Sequence, residues 1–161
     1  MGLEIERKFI VTGDGYKLGA TRKLIRQGFL NDDMDRMVRI RLVDNKAFLT
    51  VKGPLKDASR SEFEYPIPVA EAEAMLVDLC IPPILEKNRY VVEIEGLTWE
   101  VDVFMGVNEG LIVAEVELEE SGQKIIFPEW IGKEITDDKR YYNASLVGHP
   151  YCNWKNKEKE Y

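Results

Sequence analysis

The sequence is poor in the residues that most often build nucleophile and soft-metal sites. Histidine occurs once, as His149 in "GHPY", and reads as a surface residue near a tail; cysteine occurs twice. Cys80 and Cys152 stand far apart without metal-type spacing. Neither a disulfide framework nor a cysteine-ligated centre is expected, and reduced thiols fit a cytoplasmic location. No run approaches the roughly 18 apolar residues of a membrane span. Charge appears by Glu4, so no secretory leader is expected. "MGLEIE" carries Glu6 where a myristoylation site needs Ser or Thr. Neither a P-loop nor a GxGxxG fingerprint is present, so phosphate binding at a helix N-terminus is not offered. Positive charge is not in excess either: 22 Lys and Arg stand against 29 Asp and Glu, net −7. That balance speaks against a nucleic-acid or membrane-surface binder, while leaving room for a local basic pocket.

What is present is a long series of short strands. The chain has 161 residues, the size of one domain, and is 45% hydrophobic, enough for a real core. Strands are expected over 3–11, 22–30, 36–43, 46–52, 60–67, 82–96, 98–106 and 110–120 (the 82–96 stretch closing on a Gly-containing turn). Asp44 and Asn45 turn a hairpin, and Pro66 and Pro68 stop the fifth strand. Residues 69–80 carry Val69, Ala72, Met75, Leu76 and Leu79 at helical spacing and read as a helix packed on a sheet. "EWIGKEI" reads as a short connector. Residues 136–148 read as a second helix, capped by Thr136 or Asp137 and ended by Gly148. The mixed-charge end is a solvated tail, so the domain is placed at 1–150 and the tail at 151–161. The aromatic residues Trp99, Trp130, Tyr141, Tyr142 and Trp154 read as packing. About eight strands and two helices make an α+β protein dominated by antiparallel sheet.

Charge is 32% of the chain, and it is placed with a pattern. In a strand, residues i and i+2 share a face. Glu4, Glu6 and Lys8 share one; so do Arg39 and Arg41, Glu62 and Glu64, Lys87 and Arg89, Glu100 and Asp102, and Glu115 and Glu117. Lys52 lies on the face of Phe48 and Thr50. The opposite faces are apolar. A single open sheet with one wetted face alternates in the same way. Here, however, like charges recur about 7 Å apart on nearly every strand, and like charges gain nothing from each other. A closed barrel with a charged interior resolves this. Its carboxylates call for hard divalent cations such as Mg²⁺, and its Arg and Lys call for phosphates. A metal-bound polyphosphate satisfies both.

The ordered series "EIERKF", "RIRL", "TVK", "EFEYPI", "EKNRY", "WEVDVF", "AEVELEE" and "WIGKEITDDKRYYNASL" resembles the CYTH family, also called triphosphate tunnel metalloenzymes, over nearly the whole chain. The resemblance implies an eight-stranded antiparallel tunnel with a charged interior, flanked by helices. It implies divalent-metal-dependent hydrolysis of a triphosphate with Mg²⁺ or Mn²⁺. Glu4, Glu6 and Glu117 resemble the core metal ligands, with Glu115, Glu62, Glu64 and Asp102 as further candidates. Lys8, Arg39, Arg41, Lys52, Lys87 and Arg89 resemble the phosphate-binding bases. Lys8 with Glu4 and Glu6 is the candidate catalytic group. Lys139 and Arg140 are candidates for closing the tunnel. One departure matters. Thiamine triphosphatase-like members pair the N-terminal lysine with a tyrosine of the second strand, and here that position is Phe29, which has no hydroxyl.

The expected reaction is hydrolysis of inorganic tripolyphosphate to pyrophosphate and phosphate. The same residues leave open an adenylyl cyclase or a nucleoside or thiamine triphosphatase, and, in another class, a non-catalytic polyphosphate-binding barrel. The expected partner is a triphosphate-containing small molecule, with no nucleic acid or membrane, and a homodimer is plausible if two helices leave apolar strand faces uncovered.

Overall fold

The computed structural model describes residues 2–57 and 59–155. Nine strands form one sheet: β1 (Gly2–Val11), β2 (Thr21–Phe29), β3 (Met37–Val43), β4 (Lys46–Lys52), β5 (Ser59–Ile67), β6 (Leu85–Ile94), β7 (Leu97–Phe104), β8 (Ile112–Glu117) and β9 (Ile131–Glu134). Helix α1 spans Val69–Asp78 and α2 spans Asn143–Gly148. The strand order is β5-β4-β3-β2-β6-β7-β8-β1-β9, with β5 also paired to β1. Every pairing is antiparallel. β1 closes the barrel by serving two neighbours in turn. Its residues 2–5 pair with β5 and residues 6–10 with β8. Eight strands thus form the expected tunnel, and β9 hangs on the end of β1.

Period-2 alternation puts the apolar set outside and the charged set inside. Ile40, Leu42 and Ala47 on the outer face of β3 and β4 pack against Ala72 and Leu76 of α1. The two helices flank the barrel, as expected, but at different places. The outer face of β6, β7, β8 and β1 is covered by residues of the 118–131 segment and by a 3-10 turn at Gly15–Lys17. Trp99, fully buried, lies at the centre of that layer, 5.7 Å from the Trp130 ring. The second helix lies at one end of the barrel. Leu146 and Val147 join Phe29, Leu85 and Phe104, together with Tyr151 and Trp154, in a cluster that plugs that end. Residues 151–154, grouped in the sequence with the tail, are therefore docked rather than solvated; residues 156–161 lie outside the described residues.

Two more expectations change. Residues 131–134 form β9 rather than a connector, because β5 pairs with β1 only as far as Ile5 and leaves that edge free for β9 at Phe9 and Val11. The second helix begins at Asn143, not 136. Ile135 N–H donates to the Lys8 carbonyl and the Lys8 N–H donates to Thr136 Oγ1, so this stretch stays extended along β1. Thr136 is thereby used up. Asp138 instead caps a 3-10 turn at Lys139–Tyr141, accepting from the Arg140 N–H. β6 starts at Leu85 because Pro82 and Pro83 have no N–H to donate to a ladder.

Candidate active site in the barrel lumen

The inward faces enclose a cavity of about 190 Å³. Its lining includes the expected Glu4, Glu6, Lys8, Arg39, Arg41 and Lys52, and also Glu62, Glu64, Lys87, Arg89, Glu115 and Glu117. They converge because closure turns the charged side of each strand toward the same axis.

One wall is basic and locked by hydrogen bonds. Lys52 Nζ donates to both Glu4 oxygens at 2.8 and 3.1 Å and lies 3.1 Å from Glu62. Arg39, 6% exposed, donates to Thr50 Oγ1 at 3.1 Å and faces Glu64 at 3.4 Å. Its Nε is buried without a hydrogen-bond partner among the described residues. Arg41 Nε donates to Gln27 Oε1 at 2.9 Å. Burial, with Arg39 and Arg89 nearby, brings the Arg41 guanidinium down to about 9.

A second wall is a chain of buried partners. Arg89 grips Asp102 with two N–H groups at 2.7 and 2.9 Å and reaches Glu100 at 3.1 Å. Lys87 Nζ sits 2.7 Å from Asp102 and 2.7 Å from Asn143 Oδ1, which also accepts from Gln27 Nε2 at 2.8 Å. Burial pushes Asp102 up, but Arg89 and Lys87 pull harder and hold it well below the usual carboxylate range. Burial, aided by Arg89 and Arg41, drives Lys87 down to about 7 against the pull of Asp102.

The third wall is acidic. The register sets Glu6 directly opposite Glu117, and Glu100 directly opposite Glu115. Lys8 Nζ lies 3.6 Å from both Glu6 and Glu115. Burial disfavours the Lys8 charge, yet Glu115, Glu6 and Glu4 more than restore it, so it stays protonated. Burial also disfavours ionised Glu115, but Lys8 overcomes this and brings it down to about 2. Burial and the Glu115 charge then push Glu6 up to about 7. One ammonium serves two buried carboxylates, and the wall carries surplus negative charge. Among the described residues, no three His, Cys, Asp or Glu are gathered into a ready metal site.

Three expected residues, Asp102, Lys139 and Arg140, are not brought to the cavity. Asp102, 1% exposed, lies behind the wall, pinned by Arg89 and Lys87, and does not line the lumen. Arg140 pairs with Asp138, with its guanidinium over the Tyr141 and Trp154 rings. Glu100, Arg60, Tyr142 and Asn143 line the cavity but fell outside the candidate set, as did Gln27, which accepts from Arg41 beside it. Arg60 lines the cavity and donates to the Gly53 and Met34 carbonyls. Gln27 stood out in the sequence only as a polar residue between Ile25 and Phe29 on one face of β2. Tyr142 and Asn143 come from the plug, which no strand pattern marks. Phe29 does line the cavity.

A closed antiparallel barrel whose interior is ionic and whose exterior is apolar defines a tunnel protein with a charged lumen. The chain belongs to the CYTH family: the CYTH domain model matches residues 2–148. It is 52% identical over 155 residues to an inorganic triphosphatase of Acetivibrio thermocellus, covering 96% of this chain and 99% of that protein. It is 39% identical over 150 residues to an inorganic triphosphatase of Nitrosomonas europaea, covering 89% and 96%. The crystal structure of an inorganic triphosphatase superposes with a TM-score of 0.63 at 34% identity, covering 89% of this chain and 96% of that one.

Proposed function

We propose that this chain hydrolyses inorganic tripolyphosphate to pyrophosphate and phosphate with a divalent cation, Mg²⁺ or Mn²⁺. The observation that carries this reading is the division of one lumen into a basic wall and an acidic wall. The family and the names of its relatives support the same substrate. The unpartnered buried Arg39 Nε supports an anionic ligand beside it. Carboxylates set directly opposite each other repel, and Glu6 opposite Glu117 fits an all-oxygen hard-cation site. Glu4, Glu6, Glu115 and Glu117 are the residues that would hold the cation, which supplies charge neutralisation and a more acidic bound water.

The chain's own residues do the rest. Arg39 and Arg41 grip the phosphate oxygens, and Lys52 neutralises the Glu4–Glu62 side. Their fixed positive charges oppose the negative charge that builds on the oxygens as the terminal P–O bond breaks. Water adds its oxygen to the terminal phosphorus, and the bridging oxygen leaves with pyrophosphate. Lys8, between the acidic wall and the lumen, donates a hydrogen bond to that leaving oxygen. Asp102, behind the wall, holds both Arg89 and the lumen-lining Lys87 in place. With Phe29 at the cavity there is no phenol on β2, which weighs against a thiamine triphosphatase. The free thiols Cys80 and Cys152 support a cytoplasmic location.

The test is a substrate panel of tripolyphosphate, ATP and thiamine triphosphate with each metal. Tripolyphosphate should be turned over fastest, and cyclic AMP as the main product from ATP would refute the reading. Glu6→Gln should lower kcat about 100-fold or more yet leave metal-free tripolyphosphate binding in place by calorimetry. An active Glu6→Gln would remove the acidic wall from the mechanism.

A further inference from the structure

The plug puts two residues into the lumen that the charged pattern never marked. Tyr142 has extended backbone, φ −65° and ψ 136°, immediately before α2. Asn143 is the first residue of the helix, and the two side chains reach different walls. The Tyr142 ring lies 5.1 Å from Lys8 Nζ on β1. Asn143 Oδ1 accepts from Lys87 on β6 and Gln27 on β2. The plug is thereby tied to three strands around the lumen.

The three lumenal lysines are held differently. Lys52 and Lys87 each sit at 2.7–2.8 Å from a carboxylate oxygen, hydrogen-bond distance. Lys8 Nζ is 3.6 Å from each of its two carboxylates, beyond a good hydrogen bond, although its side chain is only 12% exposed. An aromatic face attracts an ammonium without consuming a particular N–H donor. The ring therefore fixes where Lys8 sits and leaves its donors for a ligand oxygen.

We propose that Tyr142 is a positioning residue for Lys8, acting through its ring, with Asn143 anchoring the plug to the opposite wall. The end plug is then part of the binding site and not merely a stopper. The catalytic consequence rests on the triphosphatase reading; the ring contact itself does not.

The experiment uses the full chain as Tyr142→Leu and Tyr142→Phe, with Tyr142→Met as a second ring-less variant should the leucine protein fail to fold. With tripolyphosphate and Mg²⁺, removal of the ring should lower kcat about tenfold while KM moves much less, and Phe should return kcat to within about twofold. In ¹⁵N-lysine-labelled protein without substrate, the Lys8 ammonium signal should shift in the ring-less variants and stay near its wild-type position in Tyr142→Phe. Unchanged kcat and an unmoved Lys8 signal in a folded ring-less variant would overturn the proposal. So would a Tyr142→Phe variant as impaired as Tyr142→Leu, which would assign the role to the hydroxyl. A wild-type chain inactive on tripolyphosphate would remove the triphosphatase reading alone, because the ammonium signal still reports the ring contact.

Discussion

Asp102→Asn is the sharpest test of how the lumen is held together. Asp102 is 1% exposed and lies within 2.9 Å of Lys87 Nζ and two Arg89 nitrogens. The variant keeps the shape and removes one charge, leaving two buried cations short of a partner. Breaking a buried ion pair in this way costs about 3–5 kcal/mol. Two features of the site favour the lower end. Glu100 remains 3.1 Å from Arg89, and Lys87, already brought down to about 7 by burial, can shed its proton. We therefore expect a loss of about 3 kcal/mol at pH 7, a fall in Tm of about 6–12 °C for a chain of this size. The pH dependence follows from the sign of the Asp102 shift. Its folded carboxyl lies well below the unfolded value of about 3.9. Its contribution is therefore complete above about pH 5 and is lost as the pH falls through the folded value. Urea melts of both proteins at pH 7, 5 and 3 measure this. The gap should be at least as wide at pH 5 as at pH 7, because Lys87 sheds its proton less readily there, and narrower at pH 3 than at pH 5. A cost under about 1 kcal/mol at pH 7, or a gap already gone at pH 5, would refute the buried clamp.

Two further outcomes follow from packing. Gly28 lies on the outer face of β2, where an added Cβ would meet the Cys80 Cβ at 2.8 Å and Ile84 Cδ1 at 2.9 Å, so Gly28→Ala should cost about 1–3 kcal/mol; an unshifted urea midpoint would show that the segment between α1 and β6 is not pressed against the barrel there. Trp154 is 4% exposed, its ring 5.0 Å from Tyr141 and its Nε1 donating to the His149 carbonyl at 3.0 Å; Trp154→Ala should cost about 3–5 kcal/mol, and a wild-type Tm would place residues 151–154 with the solvated tail after all.

Some of this protein was legible from local pattern. Period-2 spacing is a property of each strand by itself, so it marked Glu4, Glu6, Lys8, Arg39, Arg41 and Lys52 as sharing inward faces before any pairing was known. The like-sign repeats then required closure, because an open sheet gives such charges no partner. The sequence by itself therefore determined most of the strand residues that face the lumen and the charge they bring there. Only the tertiary structure decided which charge meets which. Register sets Arg89 opposite Asp102 and Glu6 opposite Glu117, and register depends on how the whole barrel closes. The same closure put Asp102 behind the wall, left an edge of β1 free for residues 131–134, and brought Tyr142 and Asn143 to Lys8 and Lys87 from more than fifty residues away on the plug. A spacing rule reads neighbours along the chain; these contacts are made across it.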